Sequence, residues 1–159
     1  KLYAEGKHRS LSDLSIVDVR VFNYFSHTQD MNARFLITDI VRVIKNKEVF
    51  KTSAVDIVRD FITPPDFYNL IQAIVDFKPI NMALDCYTKS PISKFDLLNG
   101  LKEEFGLDYK VDKNIGIINA TGLKLNYYSL NKAEKSINYN PENTSLEGII
   151  QEIGFIPKW

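Results

Sequence analysis

The sequence has 159 residues, and its 20 Lys and Arg residues balance its 20 Asp and Glu residues, so the formal net charge is zero. Proteins that bind duplex nucleic acid usually carry a clear basic excess, so this balance argues against such a partner. No apolar run approaches the roughly 18 residues of a membrane span, and the single cysteine, Cys86, excludes an internal disulfide. These features predict one globular domain in a reducing compartment, with no membrane and no nucleic acid among its partners.

The first half of the chain alternates between helical and extended patterns. β-branched residues dominate the run after Ser15, which is typical of a strand. An apolar stripe at helical spacing follows Asn32, the candidate cap of that helix. The predicted elements are a helix over 1–13, a strand over 16–23, a helix from Asn32 to about Lys45, and strands over 49–52 and 57–62.

The second half opens on a helix start at Thr63, since threonine caps helices and proline is tolerated in the first turn. Ser93 with Asp96, and Thr144 with Glu147, resemble capping boxes of two later helices. The remaining predicted elements are a strand over 81–87, a helix over 93–105 ending at Gly106, a strand over 108–112, an irregular stretch over 113–128, a short helix over 129–136 and a last helix from Thr144. This alternation predicts an α/β or α+β fold.

Arg20 and Asn23 lie at the end of the first predicted strand. Open α/β sheets bind ligands beyond the carboxyl ends of their strands, and asparagine offers donors and an acceptor to a phosphate or a sugar. An asparagine that ends a strand in a turn is the more ordinary explanation when the pattern is taken alone.

Arg59 lies in an apolar run just before the helix start at Thr63. Arginine is suited to bidentate binding of phosphate, so Arg59 is a candidate anion ligand. The Asp60 carboxylate can pair with a helix N-terminus or with a lysine. A structural ion pair between Arg59 and Asp60 is the alternative to ligand binding by Arg59.

Tyr3 and Lys7 are four residues apart on the first predicted helix and therefore share a face. An ammonium group beside a tyrosine favours the tyrosinate, which suits the pair to proton transfer, although this spacing is common by chance. His8 and His27 have no second ligand at a helical offset, so the sequence predicts no metal site. Cys86 has no CxxC partner and is predicted to be a small buried apolar residue.

Three tyrosines, Tyr127, Tyr128 and Tyr139, are candidates either to stack on a base or to pack against the protein, and packing is the more common role. The seven glycines form neither a GxGxxG motif nor a P-loop. The sequence therefore contains no phosphate-binding Gly-rich loop.

The order of these motifs resembles that of extended short-chain dehydrogenases of the NAD-dependent sugar-nucleotide epimerase and dehydratase type. The matching segments are Lys1-Leu2-Tyr3-Ala4-Glu5, Arg20-Val21-Phe22-Asn23, Arg59-Asp60-Phe61-Ile62 with Asp66, Asn131-Lys132-Ala133, and Thr144-Ser145-Leu146-Glu147-Gly148. The resemblance implies that residues 1–159 are the C-terminal, substrate-binding part of such an enzyme. It implies further that residues 1–30 are the last helix and strand of a Rossmann domain, whose Gly-rich half lies outside this sequence.

Two placements of the family's catalytic Tyr-x-x-x-Lys pair fit the sequence. Tyr3 and Lys7 match its letters. Lys1, followed by Ala4 and Glu5, matches the Lys-x-x-Ala-Glu of the family and would leave the catalytic tyrosine upstream. The stretch between Lys7 and the first strand is short for the further helical turns that the family has there. We therefore favour Lys1, with Tyr3 and Lys7 as the alternative.

The resemblance also implies how the ligands are held. Asn23 and Arg59 would bind the diphosphate of a nucleotide sugar, and Lys124 stands roughly where the family has a late phosphate-binding arginine. The family's Gly-Pro after this asparagine is replaced here by Ser26-His27.

On the cofactor side, Lys1 would contact the ribose of NAD or NADP and assist the catalytic tyrosine, while Val21 and Phe22 would lie near the nicotinamide. The whole enzyme would be a cytoplasmic homodimer that acts in surface-polysaccharide or activated-sugar biosynthesis, and this part alone would be inactive. A non-catalytic nucleotide-binding or regulatory domain of the same fold is the alternative, and a small interaction domain with a coincidental motif order is a third.

Overall fold

A computed structural model describes residues 1–113, 124–133 and 137–157 of the chain. It confirms the predicted mixed α/β class, because helices pack on short and mostly parallel strands. The helices are α1 (Leu2–Ser10), α2 (Leu36–Asn46), α3 (Pro64–Asp76), α4 (Lys94–Phe105) and α5 (Ser145–Phe155). The strands are β1 (Val17–Arg20), β2 (Asn23–Tyr24), β3 (Val49–Thr52), β4 (Val58–Arg59), β5 (Phe61–Ile62), β6 (Met82–Asp85), β7 (Ile92–Ser93), β8 (Asp108–Val111) and β9 (Asn126–Tyr127).

The strands form small ladders rather than one continuous sheet in the described ranges. β1 runs parallel to β6, β2 to β5, and β3 to β8, while β4 is antiparallel to β7 and parallel to β9. The pairing of β2 with β5 places Asn23 opposite Phe61. The two motifs that the sequence singled out, around Asn23 and Arg59, are therefore brought side by side.

Two apolar clusters make up the core of the described residues. The larger one lies between α2, α4 and α5 and contains Ile40, Leu98, Leu101 and Ile149, which have no exposed surface. The smaller one lies beneath α3 and contains Leu70 and the single cysteine. Burial raises the pKa of the Cys86 thiol to about 12, with smaller contributions from Asp85 and Asp60, and the predicted buried role of this residue is confirmed.

Two predicted strands are each divided by a change of partner. The strand predicted over 16–23 ends at Arg20, because the chain leaves β6 there and resumes at Asn23 beside β5. The strand predicted over 57–62 breaks at Asp60, since β4 pairs with β7 and β9 while β5 pairs with β2. β-branched composition cannot report such a switch, since both halves satisfy it.

Several predicted helix boundaries also differ. α1 ends at Ser10 rather than 13. α2 begins at Leu36 rather than after Asn32, because the Phe35 N–H donates to Thr38 Oγ1 at 3.1 Å and so closes the first turn there. Residues 129–133 are not helical, and the rest of that predicted helix, 134–136, lies outside the described residues. Most of the predicted irregular stretch, 114–123, also lies outside them, and β9 lies in the remainder.

The predicted caps are largely confirmed. Ser93 Oγ accepts from the Asp96 N–H at 3.1 Å, and Thr144 and Glu147 form the reciprocal pair at the start of α5. Gly106 ends α4 with a φ of 69°, a left-handed conformation that favours glycine. Thr63 occupies the cap position of α3, but its side chain makes no capping hydrogen bond.

Candidate functional site

A cleft of about 350 Å³ opens where β2 and β5 meet the start of α2. Aromatic and aliphatic side chains form much of its lining, with a few polar groups among them. The lining residues are Phe22, Asn23, Tyr24, Phe25, Gln29, Phe35, Leu36, Ile37, Thr38, Ile57, Arg59 and Phe61. A largely apolar cleft with a few convergent polar groups is the usual form of a small-molecule site.

Asn23 lines this cleft from β2. Its side-chain amide Nδ2 donates to the backbone oxygen of Asp60 at 3.0 Å, which ties β2 to the β4–β5 junction 37 residues later. This bond uses one amide hydrogen, so the geometry leaves a second donor and the Oδ1 acceptor of the side chain for a ligand.

Arg59 lines the same cleft from β4 and is half-buried. Its guanidinium donates to three backbone oxygens: Nη1 to Val58 at 2.7 Å and Leu125 at 3.1 Å, and Nη2 to Lys124 at 2.7 Å. Of its five N–H groups, two therefore remain without an acceptor among the described residues. Burial lowers the pKa of Arg59, and the guanidinium has no carboxylate partner in the described part of the chain. The predicted alternative, a structural Arg59–Asp60 pair, is not formed.

The Asp60 side chain instead forms hydrogen bonds that join the β4–β5 junction to Thr88 and Ser145. Its buried carboxylate accepts from the Thr88 N–H at 3.1 Å, from Thr88 Oγ1 at 2.5 Å and from Ser145 Oγ at 3.0 Å. Ser145 is the first residue of α5, so Asp60 contacts the start of this helix through the Ser145 hydroxyl rather than through a backbone N–H. These two neighbouring residues therefore have different roles. Arg59 lines the cleft, whereas Asp60 forms hydrogen bonds in the protein interior.

Lys94 binds the backbone of residues 53–55, which precede the cleft residue Ile57. Its buried ammonium donates to the backbone oxygens of Ser53 at 2.7 Å and Val55 at 2.5 Å, just before Ile57 in the cleft wall. Burial lowers the pKa of Lys94, because desolvation disfavours the charged form. The role of this residue is not apparent from the sequence, since a lysine at the start of a helix gives no signal of burial.

Lys124 lies beside Arg59, as its backbone hydrogen bond shows, and its side chain is exposed. Its ammonium lies 4.8 Å from the centre of the Tyr127 ring, and the Arg59 guanidinium lies 6.0 Å from the same ring. Tyr127 also packs edge-on against Phe22, with ring centres 5.1 Å apart. These contacts bring two cations and two aromatic rings together beside the cleft, which Arg59 and Phe22 line and Lys124 and Tyr127 do not.

Tyr139 does not contribute to a stacking surface. It is 2% exposed, and its hydroxyl donates toward the backbone oxygens of Asp66 and Tyr87, each at 3.3 Å. Burial raises the pKa of Tyr139, with smaller contributions from Asp66 and Tyr87. Its predicted packing role is confirmed. Tyr128 is half-buried.

A second cleft, of about 390 Å³, lies between α1 and the end of β1. Lys1, Val21 and Phe22, the three residues that the resemblance assigned to the cofactor, all line it. Tyr3 and Lys7 do not, and Tyr3 is 87% exposed on the opposite side of α1. Phe22 lines both clefts, so the two spaces share one wall.

Arg20 connects three elements at the edge of this second cleft. Its guanidinium forms a bidentate pair with Glu5 of α1, with Nε–Oε1 at 3.0 Å and Nη2–Oε2 at 2.5 Å. It also donates from Nη1 to Asp85 of β6 at 3.1 Å, and these two carboxylates raise the pKa of Arg20. Arg20 thus anchors α1 to the β1–β6 ladder, a role that its position beside Asn23 in the sequence does not reveal.

The two histidines have carboxylate partners. His8 Nδ1 lies 2.7 Å from Asp18, which also accepts from Arg9, and His27 Nδ1 lies 2.8 Å from Glu152. The predicted satisfied state of the two histidines is confirmed for these contacts. Within the described ranges, no group of three or more His, Cys, Asp or Glu side chains has a metal-binding arrangement.

Known proteins resemble this chain in structure but not in sequence. No protein-family model matches the sequence, and no curated protein matches it. Among solved structures, the chain is similar to a UDP-N-acetylglucosamine 4-epimerase from Bacillus cereus, with a TM-score of 0.76 and 14% identity over 98% of this chain and 52% of that one. It is also similar to a UDP-glucuronic acid 4-epimerase from the same organism, in complex with UDP-glucuronic acid and NAD, with a TM-score of 0.76 and 16% identity over 98% and 49% of the two chains.

A dTDP-glucose 4,6-dehydratase from Bacillus anthracis in complex with NAD is a third similar structure, with a TM-score of 0.72 and 14% identity over 96% of this chain and 48% of that one. The chain thus spans about half the length of the solved structures that it matches. In the described residues, no helix has both the length and the apolar character needed to cross a membrane. The resemblance stated from the sequence is confirmed at the level of the fold: this chain has the fold of about half of an extended short-chain dehydrogenase of the nucleotide-sugar epimerase and dehydratase type.

Proposed function

We propose that this chain is the nucleotide-sugar-binding part of an NAD- or NADP-dependent epimerase or dehydratase. The observation that carries the proposal is Arg59, a half-buried guanidinium in an apolar cleft that has no carboxylate partner in the described residues. A partly desolvated cation without a carboxylate partner favours an anionic ligand, and its planar fork matches a phosphate oxygen pair. The solved epimerases and dehydratase of the same fold support the same ligand class.

Within this proposal, Asn23 and Arg59 bind the diphosphate from two neighbouring strands. Each already uses part of its donor set on backbone oxygens, which orients the remaining N–H groups before the ligand arrives. Lys124 adds a point charge at the rim, where it can neutralise the second phosphate. The apolar lining from Phe35, Leu36 and Phe61 then covers the base or the ribose.

The second cleft is the proposed cofactor side of the site. The ammonium of Lys1 suits a ribose hydroxyl, and Val21 with Phe22 offers an apolar surface for a nicotinamide ring, so the residues present fit NAD or NADP. When bound, such a cofactor supplies hydride acceptance and return. Because no Gly-rich phosphate loop occurs in this sequence, we propose that a domain outside it holds most of the cofactor and supplies the catalytic tyrosine.

The shared wall of the two clefts explains why one chain would serve both ligands. Phe22 lies between them, so a sugar attached to a diphosphate at Arg59 would extend toward the side where Lys1 and Val21 lie. Remote binding of the nucleotide would in this way position the reacting sugar. We further propose that the whole enzyme is a cytoplasmic homodimer in the biosynthesis of activated or surface sugars, and that this chain alone binds without catalysing.

The experiment is a calorimetric titration of the chain with UDP, CDP, GDP and dTDP, repeated with Arg59→Ala. We expect one or more of these nucleotides to bind and Arg59→Ala to weaken binding by about tenfold to a hundredfold, because a charge-assisted contact is lost. Arg9→Ala is the matched control, since Arg9 also donates to a backbone oxygen and to Asp18 but lies away from the cleft. Equal binding by the wild type and Arg59→Ala would contradict the proposed site.

A further inference from the structure

Gln29 and Phe35 line the first cleft, so the segment 26–35 contributes one wall of it. Its hydrogen bonds are mostly internal, such as Ser26 Oγ with Thr28 Oγ1 at 2.9 Å and the Asn32 N–H with Asp30 at 2.9 Å. Among the hydrogen bonds between described residues, only those of His27 join this segment to a residue more than five positions away. His27 therefore supplies the long-range hydrogen bonds of this wall, while Met31 packs against the larger core cluster.

His27 is bound by Glu152 of α5. The backbone N–H of His27 donates to Glu152 Oε2 at 2.8 Å, and the ring Nδ1 lies 2.8 Å from the same oxygen. The Glu152 side chain is 3% exposed, and the His27 ring also packs on Phe155 one turn later in α5, with ring centres 5.4 Å apart. The two partners are 125 residues apart in sequence.

A carboxylate is costly to bury unless donors satisfy it, so a buried glutamate with a single partner residue in the described part of the chain marks a specific contact rather than general packing. Its neighbours on α5, Ile149 and Ile153, are core residues, and an apolar residue would suit the same face of the helix. The contact with His27 therefore explains why a carboxylate occupies position 152.

We propose that Glu152 is a positioning residue which, through His27, holds the 26–35 wall in the conformation that binds the nucleotide. This inference rests on the proposed function, since it assigns the cleft to a nucleotide diphosphate. Without the contact, the wall samples other placements, and the observed affinity falls in proportion to the fraction of molecules that remain competent. Glu152 itself does not line the cleft, so it acts only through His27.

The test measures, by calorimetry, the Kd of whichever nucleotide among UDP, CDP, GDP and dTDP the wild-type chain binds. We expect Glu152→Ala to weaken binding by about tenfold. Glu152→Gln keeps an oxygen that accepts from both His27 donors and is expected to stay within about threefold of the wild type. His27→Ala removes the ring contact from an exposed side chain, so it folds readily, and is expected to weaken binding by about threefold to tenfold.

Glu147→Ala is the matched control on the same helix. This substitution removes the exposed capping carboxylate of α5, so it weakens the helix without contacting the 26–35 wall. If Glu147→Ala weakens binding as much as Glu152→Ala, the effect is a general loss of α5 stability and the positioning role is overturned. Unchanged affinity in His27→Ala, or no rescue by Glu152→Gln, would also overturn it.

Hydrogen exchange separates this inference from the proposed function. We expect Glu152→Ala to speed exchange of the backbone amides of His27 to Phe35, while those of α4 keep their protection. This result is independent of any nucleotide. If the wild type binds none of the four nucleotides, the proposed function fails by itself, and unchanged exchange in the 27–35 amides would then overturn the wall contact as well.

Discussion

Asp66 and Asn143 are joined by two hydrogen bonds to one carboxylate oxygen: the backbone N–H of Asn143 lies 3.0 Å and its side-chain Nδ2 3.1 Å from Asp66 Oδ2. The other oxygen, Oδ1, accepts from the Glu142 N–H at 2.7 Å. Asp66 lies in the first turn of α3 and has no exposed surface, so it fastens the segment before α5 to the start of α3. The last position of the Arg59–Asp66 motif is therefore structural, whereas Arg59 lines the cleft.

We expect Asp66→Ala to lower the free energy of unfolding by about 2–4 kcal/mol, because three donors at residues 142 and 143 would lose their buried acceptor. Chemical denaturation measures this change. Asp76→Ala, at the exposed end of the same helix, is the control and should change stability by no more than about 0.5 kcal/mol. Similar effects of the two substitutions would show that the buried contacts of Asp66 contribute little.

Arg59→Lys tests whether the fork geometry of the guanidinium matters beyond its charge. A lysine keeps the charge, but its compact ammonium cannot hold the Lys124 and Leu125 oxygens and a phosphate in fixed directions at once. We expect nucleotide affinity to fall by about tenfold in a calorimetric titration. Arg9→Lys is the control, and wild-type affinity in Arg59→Lys would mean that charge alone accounts for binding.

Gly148→Ala should destabilise the protein, because a Cβ at this position would lie 2.7 Å from Thr63 Oγ1. α5 packs closely on the start of α3 there, and we expect a loss of about 1–3 kcal/mol from overpacking. Gly154→Ala in the same helix meets no atom within 4 Å, so it should be neutral or stabilising by up to about 1 kcal/mol. Thermal or chemical unfolding of the two variants compares them directly, and equal stability would contradict the close approach.

The carboxylate of Asp85 predicts a pH dependence of stability. Burial raises its pKa, but hydrogen bonds from Ser129, Asn131 and Arg20 outweigh this effect, so the pKa lies below the ordinary value of 3.8. A depressed carboxyl pKa contributes stability that is present above the unfolded-state value and is lost as the pH falls through the folded-state value.

Asp85→Asn should therefore lower the free energy of unfolding by about 1–3 kcal/mol at pH 7, where the carboxylate is charged. This difference from the wild type should shrink as the pH falls below 3.8, because the unfolded wild-type carboxylate then takes up a proton, and the charge contributes nothing once the pH is below the lowered folded-state pKa. Urea denaturation at several pH values measures the difference. A gap that stays constant down to pH 2 would exclude an ionic role for Asp85.

Much of the architecture follows from local patterns in the sequence. Capping pairs such as Thr144 with Glu147, and Gly106 at the end of α4, act over three or four residues, so the printed sequence shows them directly. Arg59 and Asn23 were predicted as ligands because their side chains suit a phosphate, and both line one cleft in the structure. Partner changes within a strand, at Arg20 and at Asp60, were not predictable, since residues that suit one ladder suit the next equally well.

Residue types and short spacings predict the mixed α/β class, the main helices and the two cleft residues Asn23 and Arg59, and the order of motifs along the chain predicts the resemblance in fold. Tertiary structure alone decided which charges are used internally: Arg20 with Glu5 and Asp85, and His27 with Glu152. The physical reason is distance along the chain, since these partners lie 15, 65 and 125 residues apart and no local pattern relates them. What distinguishes Arg59 from Arg20 is therefore not its sequence context but the absence, among the described residues, of a carboxylate that folding brings to it.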